Sequence, residues 1–254
     1  MPDFTADSYI AAQVVPSPNV DERKIGAPDM ILLHYTGMRD GQSALDRLCA
    51  PESKVSAHYV VFEDGQIVQC VPEAMRAWHA GTSYWAGQTD INSCSIGIEV
   101  VNPGHDFGYP DFPLRQVAAV ISLCKSIHSR WKIPADRVLG HSDVAPARKQ
   151  DPGEKFSWEL LSESNVGHWV RPAPVDLEGG SLKPGEQSEN VRRLQRAMRQ
   201  YGYGIEESGS YSEETRSVIT AFQRHFRQER VDGIADASTL LTLRALMETR
   251  PIRM

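Results

Sequence analysis

One short segment of this sequence, from Gly140 to Gly153, concentrates residues that could perform chemistry. It reads GHSDVAPARKQDPG and contains His141, Lys149 and Asp151. An imidazole and a carboxylate can bind a metal ion, and a neighbouring ammonium group can stabilise negative charge that develops during hydrolysis. The residue before a proline favours extended backbone, in which residues two apart point to the same side, so we expect Lys149 and Asp151 to face one pocket. The alternative, a polar surface loop with a helix-capping aspartate, stays open on this segment alone.

Two apolar segments supply further candidates. The run MILLHYTG at residues 30–37 predicts a buried central strand with His34 near its end. The run SIGIEVVN at residues 95–102 predicts a second buried strand that contains Glu99. Burial of an unpaired carboxylate costs several kcal/mol, so Glu99 needs either an ion-pair partner or a catalytic task. We favour the task of a general base whose pKa is raised toward neutrality.

His34, His141 and Asp151 together form a set typical of a catalytic zinc site. Two imidazoles and one carboxylate leave a fourth coordination position open, whereas structural zinc sites use four protein ligands. Zinc lowers the pKa of a bound water and polarises a carbonyl oxygen. Glu99 could then take a proton from that water, and Lys149 could stabilise the oxyanion. These are the parts that an amide hydrolase needs, although no compact motif such as H-E-x-x-H is present.

An irregular aromatic loop, WHAGTSYW at residues 78–85, is a candidate wall for a substrate cleft. We therefore predict that Trp78, His79 and Trp85 contact substrate, together with Asn92. Aromatic side chains also fill protein cores, so a purely structural role for this loop is the alternative. His58, the first residue of a hairpin predicted from His58 to Val71, is interpreted as structural.

The periodicity along the chain predicts an α/β domain followed by a small helical one. Residues 1–28 show no period and are interpreted as an arm lying over the domain. The segment from His58 to Val71 predicts a hairpin that turns at Asp64-Gly65, and an apolar stripe predicts an amphipathic helix from Leu114 to Trp131. Residues 171–182 are rich in Pro and Gly and predict a linker. Residues 183–254 contain three short helical patterns, which predict a small separate bundle.

Composition excludes several classes of protein. A formal net charge of -6 over 254 residues argues against a nucleic-acid-binding surface. No apolar run approaches the roughly 20 residues that a membrane span needs, and no signal-peptide pattern is visible, so the sequence as written predicts a cytoplasmic protein. The four cysteines are scattered and suit buried free thiols better than disulfides or a cysteine zinc site.

Five ordered motifs resemble a known enzyme family. They are ILLHYTG, SAHYVVFEDGQIVQCVPE, AWHAGTSYW, NSCSIGIEVVN and GHSDVAPARKQDPG. The sequence over roughly residues 28–170 is similar to the zinc-dependent N-acetylmuramoyl-L-alanine amidases of the AmpD/AmiD type. The resemblance implies a central mixed β-sheet flanked by helices, one Zn²⁺ per chain, and a peptidoglycan or muropeptide substrate. It places the zinc ligands on His34, His141 and Asp151, the catalytic acidic residue on Glu99 and the catalytic lysine on Lys149.

The C-terminal residues resemble a three-helix peptidoglycan-binding domain. The resemblance lies in VRRLQ, AFQ, DG and two Gly-to-Thr helix entries, from Gly209 to Thr215 and from Gly233 to Thr239. It implies a catalytic domain over residues 1–170 and a wall-binding domain over residues 183–254. A wall-binding domain suits the periplasm or cell envelope, which is the alternative to the cytoplasm. A non-catalytic receptor for wall fragments is the alternative function, and it is disfavoured because all three ligands, Glu99 and Lys149 are present. The oligomeric state is left open.

Overall fold

A six-stranded mixed sheet forms the centre of the first domain. The computed structural model describes residues 4–176 and 178–251, and the strand order in this sheet is β1-β5-β4-β7-β3-β8. All neighbouring pairs are parallel except β4 and β5. Strands β2 and β6 form a separate antiparallel pair. The strands are β1 (Gln13–Val14), β2 (Val20–Glu22), β3 (Met30–Tyr35), β4 (Tyr59–Val61), β5 (Ile67–Gln69), β6 (Met75–Ala77), β7 (Ser95–Val100) and β8 (Val138–Gly140).

Eight α-helices cover or extend the sheet within the described residues. They are α1 (Gly41–Cys49), α2 (Ile91–Cys94), α3 (Leu114–Trp131), α4 (His141–Val144), α5 (Trp158–Glu163), α6 (Glu189–Tyr201), α7 (Glu213–Phe226) and α8 (Ala237–Thr249). This architecture confirms the predicted central mixed sheet with flanking helices and a C-terminal helical region. None of the helices in the described ranges is both long enough and apolar enough to cross a bilayer.

Strand β3 is buried on both faces, as its continuous apolar run predicted. Ile31 and Leu33 point into a core shared with α3, whereas Met30 and Leu32 point into the opposite core. Because side chains alternate between the two faces of a strand, an apolar residue at every position indicates that both faces are covered.

Two local predictions are confirmed by the backbone. The hairpin forms between β4 and β5, and Gly65 at its turn has a φ of 89°, a conformation that glycine adopts without steric cost. Helix α3 has the predicted bounds and packs its apolar stripe on one face of the sheet.

The N-terminal arm differs from the prediction because it belongs to the sheet structure. Strand β1 pairs with β5 at one edge, and β2 pairs with β6. Arg23 then anchors the arm by donating to the backbone carbonyls of Ser93 and Ser95. Strands of two and three residues are too short to show a hydrophobic period, so no local pattern predicts them.

The weak repeat in the C-terminal bundle has a physical basis. Gln195 accepts a hydrogen bond from the Gly209 N–H and donates to the Thr215 hydroxyl. In the second copy, a glutamine at residue 223 makes the same two bonds, to a glycine at residue 233 and a threonine at residue 239. Each glutamine therefore links one helix to the segment that begins the next helix.

The predicted C-terminal bundle packs directly against the first domain. Buried residues of α6, α7 and α8 form one continuous apolar cluster with residues of the first domain, including Met30, Leu32 and Trp85. The bundle thus covers the face of the sheet opposite to α3. A bundle of this size has little core of its own, and docking on the sheet supplies the apolar contact that it lacks.

The cysteine prediction agrees with the structure. Cys49, Cys70, Cys94 and Cys124 are free thiols, and the last three are buried.

Candidate active site and metal centre

Three side chains from distant parts of the chain meet at the carboxyl ends of the central strands. His34 lies near the end of β3, His141 begins α4 directly after β8, and Asp151 follows in a turn. His34 Nδ1 and His141 Nδ1 are 2.9 Å apart, and Asp151 Oδ2 lies 2.9 Å from the first and 3.0 Å from the second. All three residues are buried and could hold one metal ion. Ligand atoms about 3 Å apart suit a small ion with bonds of about 2 Å.

The hydrogen bonds of His141 direct the lone pair of its Nδ1 to this meeting point. Its other ring nitrogen, Nε2, lies 2.9 Å from the carbonyl oxygen of Ala80. A carbonyl can only accept, so Nε2 carries the proton and Nδ1 is left as a bare acceptor. A ring fixed in this way is the arrangement that metal-binding histidines require.

A chain of hydrogen bonds through Ser95 and His79 directs the lone pair of His34 Nδ1 to the same meeting point. Ser95 donates its hydroxyl to the Ile91 carbonyl at 2.6 Å, so its oxygen accepts from His79 Nε2 at 3.4 Å. His79 Nδ1 is then an acceptor for His34 Nε2, which lies 3.1 Å away. His34 Nδ1 is therefore free to bind a metal ion. The donor set fits a metal ion of the zinc type, because both imidazoles present lone pairs beside a carboxylate oxygen.

Burial lowers the pKa of His34 and His79, whereas contacts with neighbouring histidines lower the pKa of Asp151. Desolvation, followed by repulsion from His141, lowers the pKa of His34 to about 4. Desolvation also lowers the pKa of His79 well below its usual value. For Asp151, desolvation would raise the pKa, but His141 and His34 outweigh it and hold the pKa well below its ordinary value. Neutral imidazole and ionised carboxylate are the forms that bind metals.

Glu99 lies beside this cluster with one oxygen lacking a partner. Strand β7 pairs with β3 so that Glu99 stands opposite His34 in the register. Its Oε2 is buried and has no hydrogen-bond partner in the described part of the chain. Burial, and then the charge of Asp151, raise the pKa of Glu99 well above its usual value, while Lys149 opposes that rise. A carboxylate in this environment is suited to accept a proton.

The cluster opens into a polar cleft of about 500 Å³. Lys149 lies on the wall of the cleft with a partly exposed side chain, and its positive charge lowers the pKa of both Glu99 and His34. The cleft therefore holds a potential metal site, a carboxylate base and an ammonium group in one space.

The kind of active site that this cleft forms is indicated by the family to which the chain is similar. The family described as N-acetylmuramoyl-L-alanine amidase matches residues 24–154, about half of the chain. The chain belongs to the N-acetylmuramoyl-L-alanine amidase family. A second match, to a putative peptidoglycan-binding domain, covers residues 187–243 of this amidase.

Individual relatives resemble the amidase over most of its length. It is 36% identical over 231 residues to N-acetylmuramoyl-L-alanine amidase AmiD of Escherichia coli, which covers 86% of this chain and 82% of the relative. The structure of E. coli AmiD with anhydro-N-acetylmuramic acid-L-Ala-D-gamma-Glu-L-Lys superposes with a TM-score of 0.73 and 34% identity, over 90% of this chain and 92% of that one. AMPDH3 of Pseudomonas aeruginosa in complex with anhydromuramic pentapeptide gives a TM-score of 0.72 at 31% identity, over 91% and 96% of the two chains.

Of the four residues predicted to contact substrate, two line the cleft of the amidase. Trp78 and His79 are on its wall, and His79 also holds His34. Trp85 is 0% exposed and packs against Tyr203 of the bundle, with ring centroids 4.9 Å apart. The expectation that Trp85 lines the cleft disagrees with this placement, because a fully buried ring offers no surface to a ligand.

Asn92 also has a different position from the one predicted. It is buried, and its side-chain oxygen accepts the backbone N–H groups of His79 and Ala80 at 3.0 and 2.8 Å. It therefore shapes the loop that carries His79, and it does not line the cleft. The structural alternative for the aromatic loop at residues 78–85 holds at Trp85.

Two residues that support the amidase site were missed by sequence reasoning. Arg148 donates to the carbonyls of Ala80 and Thr82, both at 2.7 Å, and so holds the loop that faces His141. Asp143 accepts the Gly140 N–H at 2.8 Å and caps the turn that begins at His141. The spacing of Asp143 three residues after Gly140 is a capping signal that could have identified it.

Proposed function

We propose that this amidase hydrolyses the amide bond between the lactyl group of N-acetylmuramic acid and the L-alanine of the peptidoglycan stem peptide. The reaction uses a single Zn²⁺ bound by His34, His141 and Asp151. The observation that carries the proposal is the convergence of three ligand atoms within about 3 Å beside the Glu99 carboxylate. Oε2 of that carboxylate has no hydrogen-bond partner among the described residues.

Glu99 transfers the proton, and Lys149 stabilises the negative charge that develops on the carbonyl oxygen. When bound, zinc would lower the pKa of a water molecule and polarise the scissile carbonyl. Glu99 accepts a proton from water as the water oxygen adds to the lactyl carbonyl carbon. It then returns that proton to the alanine nitrogen as the C–N bond breaks, which leaves a lactyl carboxylic acid and a free amine. The carboxylic acid then gives its proton to the amine, so that the products are a lactyl carboxylate and an ammonium group. Lys149 stabilises the negative charge on the carbonyl oxygen in the tetrahedral intermediate.

Two related solved structures support a muropeptide substrate. E. coli AmiD was solved with an anhydro-N-acetylmuramic acid tripeptide, and AMPDH3 with an anhydromuramic pentapeptide. We propose that this chain accepts both 1,6-anhydro and intact muramic acid, because its cleft is open and polar. Its volume of about 500 Å³ is in the range of small-molecule sites.

We propose that the C-terminal bundle binds wall polymer in a groove between α6 and α8. This groove has a volume of about 930 Å³ and combines apolar side chains with polar groups along its length. Arg193 and Arg244 stand at its edge with well-exposed side chains. Replacement of both by glutamate is expected to weaken sedimentation with insoluble peptidoglycan while hydrolysis of small muropeptides continues.

For the compartment, we propose the cytoplasm, with the periplasm or cell envelope as the alternative. Four free thiols, three of them buried, are typical of a reducing compartment. The wall-binding role of the bundle favours the envelope. Fractionation of cells that produce the natural full-length protein decides between them.

Mass spectrometry of reaction products tests the activity. The zinc-loaded protein is incubated with a mixture of intact and anhydro muropeptides, and free stem peptide is the expected product. A receptor without catalytic activity would bind the muropeptides and release no stem peptide. The ratio of the two sugar products also reports the preference between intact and anhydro muramic acid.

A further inference from the structure

We propose that the C-terminal bundle positions the metal ligands of the amidase domain, through Tyr203 and His225, which hold Asp143. The bundle is then part of the hydrolytic site as well as a wall-binding module. The inference rests on the proposed zinc site and adds two positioning residues to it.

Asp143 is a buried carboxylate whose hydrogen bonds come from both domains. It is 0% exposed. Oδ2 accepts the Gly140 N–H at 2.8 Å and His225 Nδ1 at 2.7 Å, and Oδ1 accepts the Tyr203 hydroxyl at 2.7 Å. Two of its three partners therefore belong to the bundle. A buried carboxylate that loses a donor keeps the desolvation cost and has nothing to offset it, so its position depends on those partners.

The position of Asp143 sets the positions of two metal ligands. By accepting the Gly140 N–H, it closes the turn whose first residue is His141. The next residue, Ser142, donates its backbone N–H to the backbone carbonyl of Asp151 at 2.9 Å. Any shift of Asp143 therefore moves the backbone that carries both His141 and Asp151.

Helix α7 makes further contacts along the same segment. Arg224 donates to the side chain of Gln150, the neighbour of Asp151, at 3.2 Å. Gln228, just beyond the helix, donates to the carbonyl of Phe156 at 2.7 Å. The His225 ring stacks on Trp158 with centroids 3.6 Å apart. The segment from residue 140 to residue 158 is thus braced along its length by one face of the bundle.

The alternative is that these contacts only hold the two domains together. It predicts that their loss lowers stability and leaves zinc affinity unchanged once the protein is folded. Positioning predicts a loss of zinc affinity in the folded protein, because removal of groups that orient metal ligands typically weakens binding by 10–100-fold.

Tyr203→Phe and Tyr211→Phe form a matched pair that separates these readings. Tyr211 is also buried in the bundle, and its hydroxyl donates to the Gly233 carbonyl at 2.8 Å, without reaching the amidase domain. Each variant of the full chain loses one buried phenolic hydroxyl. Zinc affinity is measured by competition with a chelator, and the absorption spectrum of the Co²⁺-substituted protein reports ligand geometry.

We expect Tyr203→Phe to weaken zinc binding about tenfold and to alter the Co²⁺ spectrum. Tyr211→Phe should match the wild type in both measurements. Equal zinc affinity and equal spectra in the two variants would overturn the inference. If Tyr203→Phe does not fold, His225→Phe decides in the same way, because it keeps an aromatic ring beside Trp158 and loses the donor to Asp143.

The wild type separates failure of this inference from failure of the proposed function. A wild-type chain that binds no zinc at this site overturns both. A wild type that binds zinc and releases stem peptide, with variants indistinguishable from it in zinc affinity, overturns the positioning role and leaves the amidase proposal intact.

Discussion

His34 and His79 face each other with Nε2 of the first 3.1 Å from Nδ1 of the second, and their rings stand at 83°. His79 is therefore a partner of a proposed metal ligand. The orientation of His79 is fixed by Ser95 on one side and by the backbone of β7 beneath it. The angle of the His34 ring therefore depends on the sheet, through His79.

Removal of this partner is expected to weaken metal binding without removing a ligand. His79→Ala should lower zinc affinity by 10–100-fold, because the His34 ring loses the group that fixes its tautomer and angle. Chelator competition measures the change. His128→Ala is the matched control, since His128 is hydrogen-bonded to the Ile133 carbonyl at the far end of α3. Equal zinc affinity in His79→Ala and wild type would contradict the role of His79.

Gly97 provides the space in which His79 sits. A Cβ at residue 97 would lie 2.5 Å from the His79 ring, so Gly97→Ala must displace that ring or the strand. We expect a loss of about 1–3 kcal/mol in the free energy of unfolding, together with reduced zinc affinity. Chemical denaturation measures the first quantity.

A double variant identifies the cause of that loss. In a His79→Ala background the obstructing ring is absent, so the added methyl group at residue 97 should cost little further stability. A full additional loss in the double variant would mean that the strand itself, rather than His79, rejects the methyl group.

The central strands and α3 could be predicted from sequence because each carries its own signal. The apolar run before His34 and the stripe from Leu114 to Trp131 are local patterns, and local patterns specify local structure. The strands of the arm could not be predicted in this way, because pairing at a sheet edge depends on β5 and not on the arm.

The residues of the candidate site also differ in whether the sequence predicts their positions. His34, Glu99, Lys149 and Asp151 were selected by their chemistry and by family resemblance, and the fold brings them into one cleft. The position of Trp85 could not be predicted, because an aromatic ring in a glycine-rich loop suits a cleft wall and a core equally well. Its burial follows from docking of the bundle, and no local pattern encodes which surface a second domain covers.

Zinc is expected to stabilise the folded protein through Asp151. A ligand that binds only the folded state at 100 times its Kd adds about 2.7 kcal/mol to the free energy of unfolding. Thermal unfolding with and without added zinc should show this stabilisation in the wild type and almost none in Asp151→Ala. Asp111→Ala is the control, because its side chain is 89% exposed and pairs with Lys155. An equal zinc-dependent rise in Asp151→Ala would remove Asp151 from the ligand set.

Glu99→Gln is expected to separate zinc binding from turnover. The amide keeps the shape of the side chain and cannot accept the proton, so zinc content should stay at the wild-type level while kcat falls by about 10²–10⁴-fold. Glu63→Gln, at an exposed glutamate on the hairpin, is the control and should leave both unchanged.

The pH dependence of the wild type gives an independent test of the same residue. The pKa of Glu99 is raised by burial and by Asp151, and a general base must be deprotonated to act. Activity is therefore full above the raised pKa and falls as the pH drops through it, which places the acidic limb of kcat/KM above the ordinary glutamate pKa of about 4.3. Glu99→Gln should lose this limb from its residual activity, and a limb that survives unchanged in the variant would assign the base to another group.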